Sequence, residues 1–157
     1  MRKNNAGKSK AVSYAYRLFS ARPRSEKELR DRLFRKGFGR AVIYDVISLL
    51  KEKNIIDDFK FAKLWVESRM RANPRSDALL RNELRMKGVS AAVIEKVLSE
   101  RETGDDSLAR ALAGRRLESL EKLPKEKARK KLFDFLARRG FDFDVIEDTV
   151  KETLGVK

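Results

Sequence analysis

Apolar residues recur along this chain at steps of three and four, and one phrase of that pattern occurs three times. The first copy is Leu29-x-x-x-Leu33-x-x-Lys36-Gly37-Phe38, followed by Val42 and Ile43. The second is Leu80-x-x-x-Leu84-x-x-Lys87-Gly88-Val89, followed by Val93 and Ile94. The third is Leu132-x-x-x-Leu136-x-x-Arg139-Gly140-Phe141, followed by Val145 and Ile146. The glycines stand 51 and 52 residues apart. A fixed period of this length predicts one supersecondary unit stacked three times, an arrangement that builds extended binding surface more readily than a catalytic pocket.

Each unit reads as three helices. In residues 11–56, Val12, Tyr16 and Phe19 share a stripe with Ala15 and Leu18 beside it, and Pro23 ends the first helix. Ser25 followed by Glu28 is a capping box that opens the second helix, with Leu29 and Leu33 as its seam. Gly37 stops that helix, because the C′ position favours a left-handed residue. Val42, Ile43, Val46, Ile47 and Leu50 line the third. Residues 57–103 repeat the order: Asp57 and Asp58 open a helix with Phe61, Ala62, Trp65 and Val66, Pro74 breaks it, and Ser76 and Ser90 begin the next two. Residues 104–157 do so again from Asp105 and Asp106, with a break at Pro124 and a last helix opened by Asp142. No sustained period-two alternation and no Asn-Gly or Asp-Gly hairpin points to a strand. The expectation is an all-α chain of three tandem three-helix repeats. Residues 1–10, with four bases and almost nothing apolar, are expected to form a flexible basic arm.

Composition narrows what such an array could do. The chain has 157 residues, no Cys and no His, which removes disulfides, thiolate chemistry, and the commonest metal ligand and general base. Apolar runs are too short for a membrane span and the first residues carry no signal-peptide core, so a cytoplasmic protein is expected. No P-loop and no dinucleotide-binding glycine pattern occurs. The paired acids Asp57-Asp58 and Asp105-Asp106 sit at helix starts, where capping and the helix dipole account for them. Phe61 and Trp65, four residues apart, are read as core rather than as a base-stacking platform. No cofactor, metal site or catalytic residue is expected.

Charge adds direction. Lys and Arg number 38 against 24 acids, a net charge of +14, which favours a polyanionic partner. The excess is uneven: residues 1–10 carry +4, residues 11–24 carry +3 and residues 125–139 carry +5, whereas residues 90–102 carry −1 and residues 142–154 carry −4. A three-helix unit with a glycine turn is similar to a DNA-reading helix-turn-helix, whose last helix enters the major groove. Here the last helices of the second and third units are acidic and would be repelled by phosphates, so the charge argues for backbone tracking or docking on an acidic surface.

Several phrases taken together resemble the RecX family, regulators of the RecA recombinase. They are Ser20-Ala21-Arg22-Pro23-Arg24-Ser25-Glu26-Lys27-Glu28-Leu29, Arg35-Lys36-Gly37-Phe38, and Ile56-Asp57-Asp58-Phe59-Lys60-Phe61-Ala62-x-x-Trp65-Val66-x-x-Arg69. Arg81-x-Glu83-Leu84-x-x-Lys87-Gly88-Val89 and Lys130-Lys131-Leu132-x-x-Phe135-Leu136-Ala137-Arg138-Arg139-Gly140-Phe141-Asp142 complete the set. The resemblance runs from about Tyr14 to Leu154. It implies an elongated, curved array of three-helix repeats that is not an enzyme, binds the RecA filament on single-stranded DNA, and lowers its ATPase and strand-exchange activities. A monomer is expected. The competing expectation is a general nucleic-acid-binding helical protein with no RecA dependence. The contact residues expected from the basic positions near the repeated phrases are Arg17, Arg22, Arg24, Arg35, Lys36, Arg69, Arg75, Arg85, Lys87, Lys130, Lys131, Arg138 and Arg139.

Overall fold

The computed structural model describes the backbone of residues 2–155 and the side chains of residues 6–155. Among the described residues there are nine helices and no strand: α1 (Arg2–Ala21), α2 (Glu26–Arg35), α3 (Arg40–Glu52), α4 (Asp58–Ala72), α5 (Asp77–Met86), α6 (Ala91–Ser99), α7 (Asp105–Leu120), α8 (Lys125–Ala137) and α9 (Phe143–Leu154). The residues expected to form a basic arm instead continue α1 back to Arg2. Ala11 and Ala15 are fully buried and anchor that helix. Extending an anchored helix costs far less than starting one. Met1 and the side chains of residues 2–5 lie outside the described residues. The stripe on α1 also differs from expectation. Ala11 and Ala15 are its centre, Val12, Leu18 and Phe19 flank it, and Tyr16 is exposed.

The chain divides into two compact units, residues 1–68 with 83–97 and residues 69–82 with 98–157. In the first, α1 packs on α2 and α3 around Leu29, Leu33, Val46, Ile47 and Leu50. In the second, α7 packs on α8 and α9 around Leu112, Leu120, Leu132, Leu136, Ile146 and Val150. Each fully buried Leu contributes about 1.5–3 kcal/mol, so the repeated apolar positions are core. The glycines of the phrase have φ of 89°, 78° and 79° at Gly37, Gly88 and Gly140, the left-handed turn that an L side chain resists.

Polar contacts between successive repeats recur as faithfully as the seams. Ser25 caps α2 through the Glu28 N–H, and its Oγ donates to the Lys87 carbonyl at 2.6 Å. Ser76 caps α5 through the Leu79 N–H, and its Oγ donates to the Gly140 carbonyl at 2.5 Å. Both serines are fully buried. The start of each of these helices is also capped by an acid of the following repeat: the Glu26 N–H donates to Asp58 at 2.8 Å, and the Asp77 N–H to Asp105 at 3.0 Å. A base at or just past the end of the third helix completes each set, Lys51 on Glu26 and Arg101 on Asp77. Burial raises the Asp58 and Asp105 carboxyls, opposed by the Glu26 N–H at Asp58 and by the Arg101 charge at Asp105. The paired acids therefore divide their work. Asp57 caps its own helix through the Lys60 N–H, while Asp58 reaches back to the preceding repeat.

Candidate polyanion interface

The base that precedes each glycine lies against an aromatic ring. Lys36 sits 5.8 Å from the Tyr14 centroid, Lys87 4.8 Å from that of Trp65, and Arg139 3.8 Å from that of Phe135. Such contacts are worth about 0.5–2 kcal/mol and hold the cation in place. Tyr14 and Trp65 come from first helices; Phe135 comes from α8 itself. A second cation joins the ring in two repeats, with Arg17 5.7 Å from Tyr14 and Arg116 4.6 Å from Phe135.

What surrounds these bases differs. Lys87 donates to Glu28 at 2.7 Å, and Arg22 forks onto the same carboxylate at 3.1 and 3.2 Å. Burial would raise the Glu28 carboxyl, but the hydrogen bonds and charges of Arg22 and Lys87 overcome it and hold the group at about 2, against an ordinary 4.5. Arg24 is buried, its Nε donating to the Leu18 carbonyl at 3.1 Å. Arg22, Arg24 and Lys87 thus tie α2 to its neighbours. Trp65 is likewise occupied: its Nε1 donates to Glu83 at 2.8 Å and its ring packs beside Phe61. Arg139 donates its Nη1 to the Phe135 carbonyl at 3.2 Å, and burial followed by the charges of Arg116, Arg138 and Arg75 lowers its pKa. Arg69 and Arg75 are half-buried.

The remaining expected contact residues, Arg17, Arg35, Lys36, Arg85, Lys130, Lys131 and Arg138, are exposed. Three of them gather on α8. At 100° per residue, Lys127, Lys130, Lys131 and the C-cap residue Arg138 fall on one face, with Asp134 among them; the buried Leu132 and Leu136 lie across the helix and Phe135 borders that face. These four cationic side chains make no hydrogen bond or ion pair with a described residue. The acidic α9 is by contrast engaged within its own repeat, Glu147 with Arg129 and Lys151, and Glu152 with Arg110. Among the described residues no group of His, Cys, Asp or Glu could hold a metal ion, and no helix is long and apolar enough to cross a membrane.

Family models for the first, second and third three-helix domains of RecX match residues 11–50, 57–98 and 104–150. The chain belongs to the RecX family. Regulatory protein RecX of Chlorobaculum tepidum is 35% identical over 148 residues, covering 94% of this chain and 91% of its own. Regulatory protein RecX of Prosthecochloris aestuarii is 37% identical over 150 residues, covering 92% and 94%. The crystal structure of RecX from Lactobacillus salivarius superposes with a TM-score of 0.79 at 20% identity, covering 95% of this chain and 97% of that one, which shows the same fold.

Within this RecX-family frame, the sequence pattern located the basic second helix of the third repeat but not Arg116. Arg116 stands on α7, far from any repeated phrase, and only the packing of α7 against α8 brings it to Phe135. Its single sequence signal is the Arg115-Arg116 pair in a helix otherwise seamed by Leu and Ala.

Proposed function

We propose that this chain regulates RecA by binding the RecA filament on single-stranded DNA, lowering its ATPase and strand-exchange activities without chemistry of its own. The observation that carries this is the cationic face at α8, whose Lys127, Lys130, Lys131 and Arg138 are exposed and make no ion pair or side-chain hydrogen bond with a described residue. Four cations on one face, offset only by Asp134, repel one another, and an external anion would relieve that repulsion. Arg17, Arg35 and Lys36 in the first repeat would add contacts, and tethering several weak contacts on one chain multiplies their effect through local concentration. Because RecA filaments assemble inside the cell, the protein would act in the cytoplasm, as a monomer.

The test is RecA ATP hydrolysis on single-stranded DNA titrated with this protein. Inhibition at substoichiometric ratio supports the reading. No effect at any ratio, despite tight DNA binding, would leave a general nucleic-acid binder in its place.

A further inference from the structure

We propose that the groove between α2 and α3 is a docking site for an acidic protein segment that presents apolar side chains, a segment carried, on the function proposed above, by the RecA filament. The groove has a volume of about 790 Å³. Ile43 and Ile47 line it as buried residues, and Phe34 and Tyr44 line it with 62% and 72% of their surface exposed. The other repeats serve as a comparison. The position after the second seam leucine is Phe34 in the first repeat, Arg85 in the second and Ala137 in the third. The position after the repeated isoleucine is Tyr44, Glu95 and Glu147. Two repeats form three helices with charged or small residues there, so the scaffold does not require the aromatic pair. Two exposed rings on one groove mark an interaction surface, because aromatic anchors dominate protein recognition.

Charge at the rim selects the partner. Arg30 and Lys51 share one carboxylate, Glu26, at 2.5 and 2.9 Å, and Asp31 is held by Lys27 at 3.1 Å. Arg40 is exposed and makes no ion pair or side-chain hydrogen bond with a described residue. It stands in the first turn of α3, which begins at Gly39 without a side-chain cap and holds no acid in that turn. Positive charge is therefore left at a helix end whose dipole also favours an anion. A carboxylate flanking apolar anchors meets both the charge and the rings. A second copy of this chain fits poorly, since it also carries +14 and a two-fold contact would set the basic rim against itself. Nucleic acid fits poorly as well. Three bases against two acids is a small excess for a ligand with a charge on every nucleotide, and the buried lining is aliphatic, not a ring face on which a base stacks. The inference rests on the proposed function for the identity of the partner.

The experiment is biolayer interferometry of the full chain on immobilised oligo(dT), with and without RecA assembled on it. Phe34→Ala combined with Tyr44→Glu installs the residue types that the third repeat carries at these positions. It should weaken filament binding about thirtyfold and leave binding to bare oligo(dT) unchanged. Chemical denaturation checks that the fold is kept, and Phe34→Ala alone repeats the test at about fivefold should the double variant lose its fold. Arg40→Gln should weaken filament binding about threefold, a difference that shrinks as salt is raised. Met86→Ala, which trims an exposed apolar side chain outside the groove, should change nothing. Unchanged filament affinity in the double variant would overturn the proposal, as would an equal loss in the Met86 variant. An equal loss on bare oligo(dT) would give the groove to nucleic acid, and self-association in sedimentation that the double variant abolishes would give it to a second copy; either overturns the proposal. The RecA ATPase titration separates the two readings. Inhibition by the unmodified chain and by the double variant alike sinks only the groove, whereas an unmodified chain that neither binds nor inhibits the filament sinks the proposed function and the partner assigned here with it.

Discussion

Lys87 and Arg139 occupy the same place in the repeated phrase, yet the molecule spends them differently. Both precede a left-handed glycine and both lie on an aromatic ring. Lys87 meets a carboxylate, Glu28, which Arg22 also clasps, so its charge is consumed in joining the first repeat to the second. Arg139 meets Arg116, Arg138 and Arg75 instead, so positive potential is left standing. One scaffold position therefore sits in an ion pair in one repeat and in a cluster of bases in another, and what decides between them is whether a neighbouring element brings an acid or a base.

Four experiments would break or sharpen that contrast. The largest effect is expected from reversing Lys127, Lys130, Lys131 and Arg138 to Glu, which should weaken filament binding about a hundredfold while helicity stays unchanged. Retained binding would mean that the α8 face is not the recognition surface. Next come the glycines. A Cβ at Gly140 would fall 2.7 Å from the Leu79 Cβ, and one at Gly88 2.5 Å from the Lys27 Cβ, whereas one at Gly37 meets nothing within 4 Å among the described residues. Gly140→Ala should therefore cost about 3 kcal/mol, strain and overpacking together, against about 1 kcal/mol for Gly37→Ala. Equal losses in chemical denaturation would show that these glycines only turn the chain.

A smaller effect attaches to Glu28. Its folded pKa lies below its unfolded value, so the stability it supplies is present above about pH 4.5 and is lost as pH falls toward about 2. Glu28→Gln should cost on the order of 1–3 kcal/mol at pH 7, with the difference from the unmodified protein closing across that window. A gap that persists at pH 2 would assign the loss to something other than the ion pairs. The smallest effect is expected at Lys36, which is exposed. Lys36→Gln should cost only about 0.5 kcal/mol, the low end for an exposed cation–ring contact, while Lys87→Gln should cost more because it also leaves Glu28 with one partner fewer. The same denaturation series checks both.

The phrase itself foretold the helices, their seams at Leu29, Leu33, Leu80, Leu84, Leu132 and Leu136, and the Ser25 capping box, because those features depend on neighbours within a few residues. It misled at the amino terminus, where low apolar content suggested an arm but buried Ala11 and Ala15 carry the helix on. It also treated every base near a glycine alike. Arg22, Arg24 and Lys87 resemble Lys130 and Arg138 in composition and spacing, and differ only in what the fold sets beside them.

What the sequence determined alone was the period, the helical class, the family resemblance and the excess of positive charge, all of them sums over residues or patterns of short range. The tertiary structure decided which charges remain to act. Glu28 meets Lys87 across 59 residues, Ser76 meets Gly140 across 64, and Arg116 reaches Phe135 only because α7 packs on α8. A charge is available for recognition only when no such long-range partner neutralises it, and partners of that kind are brought together by packing.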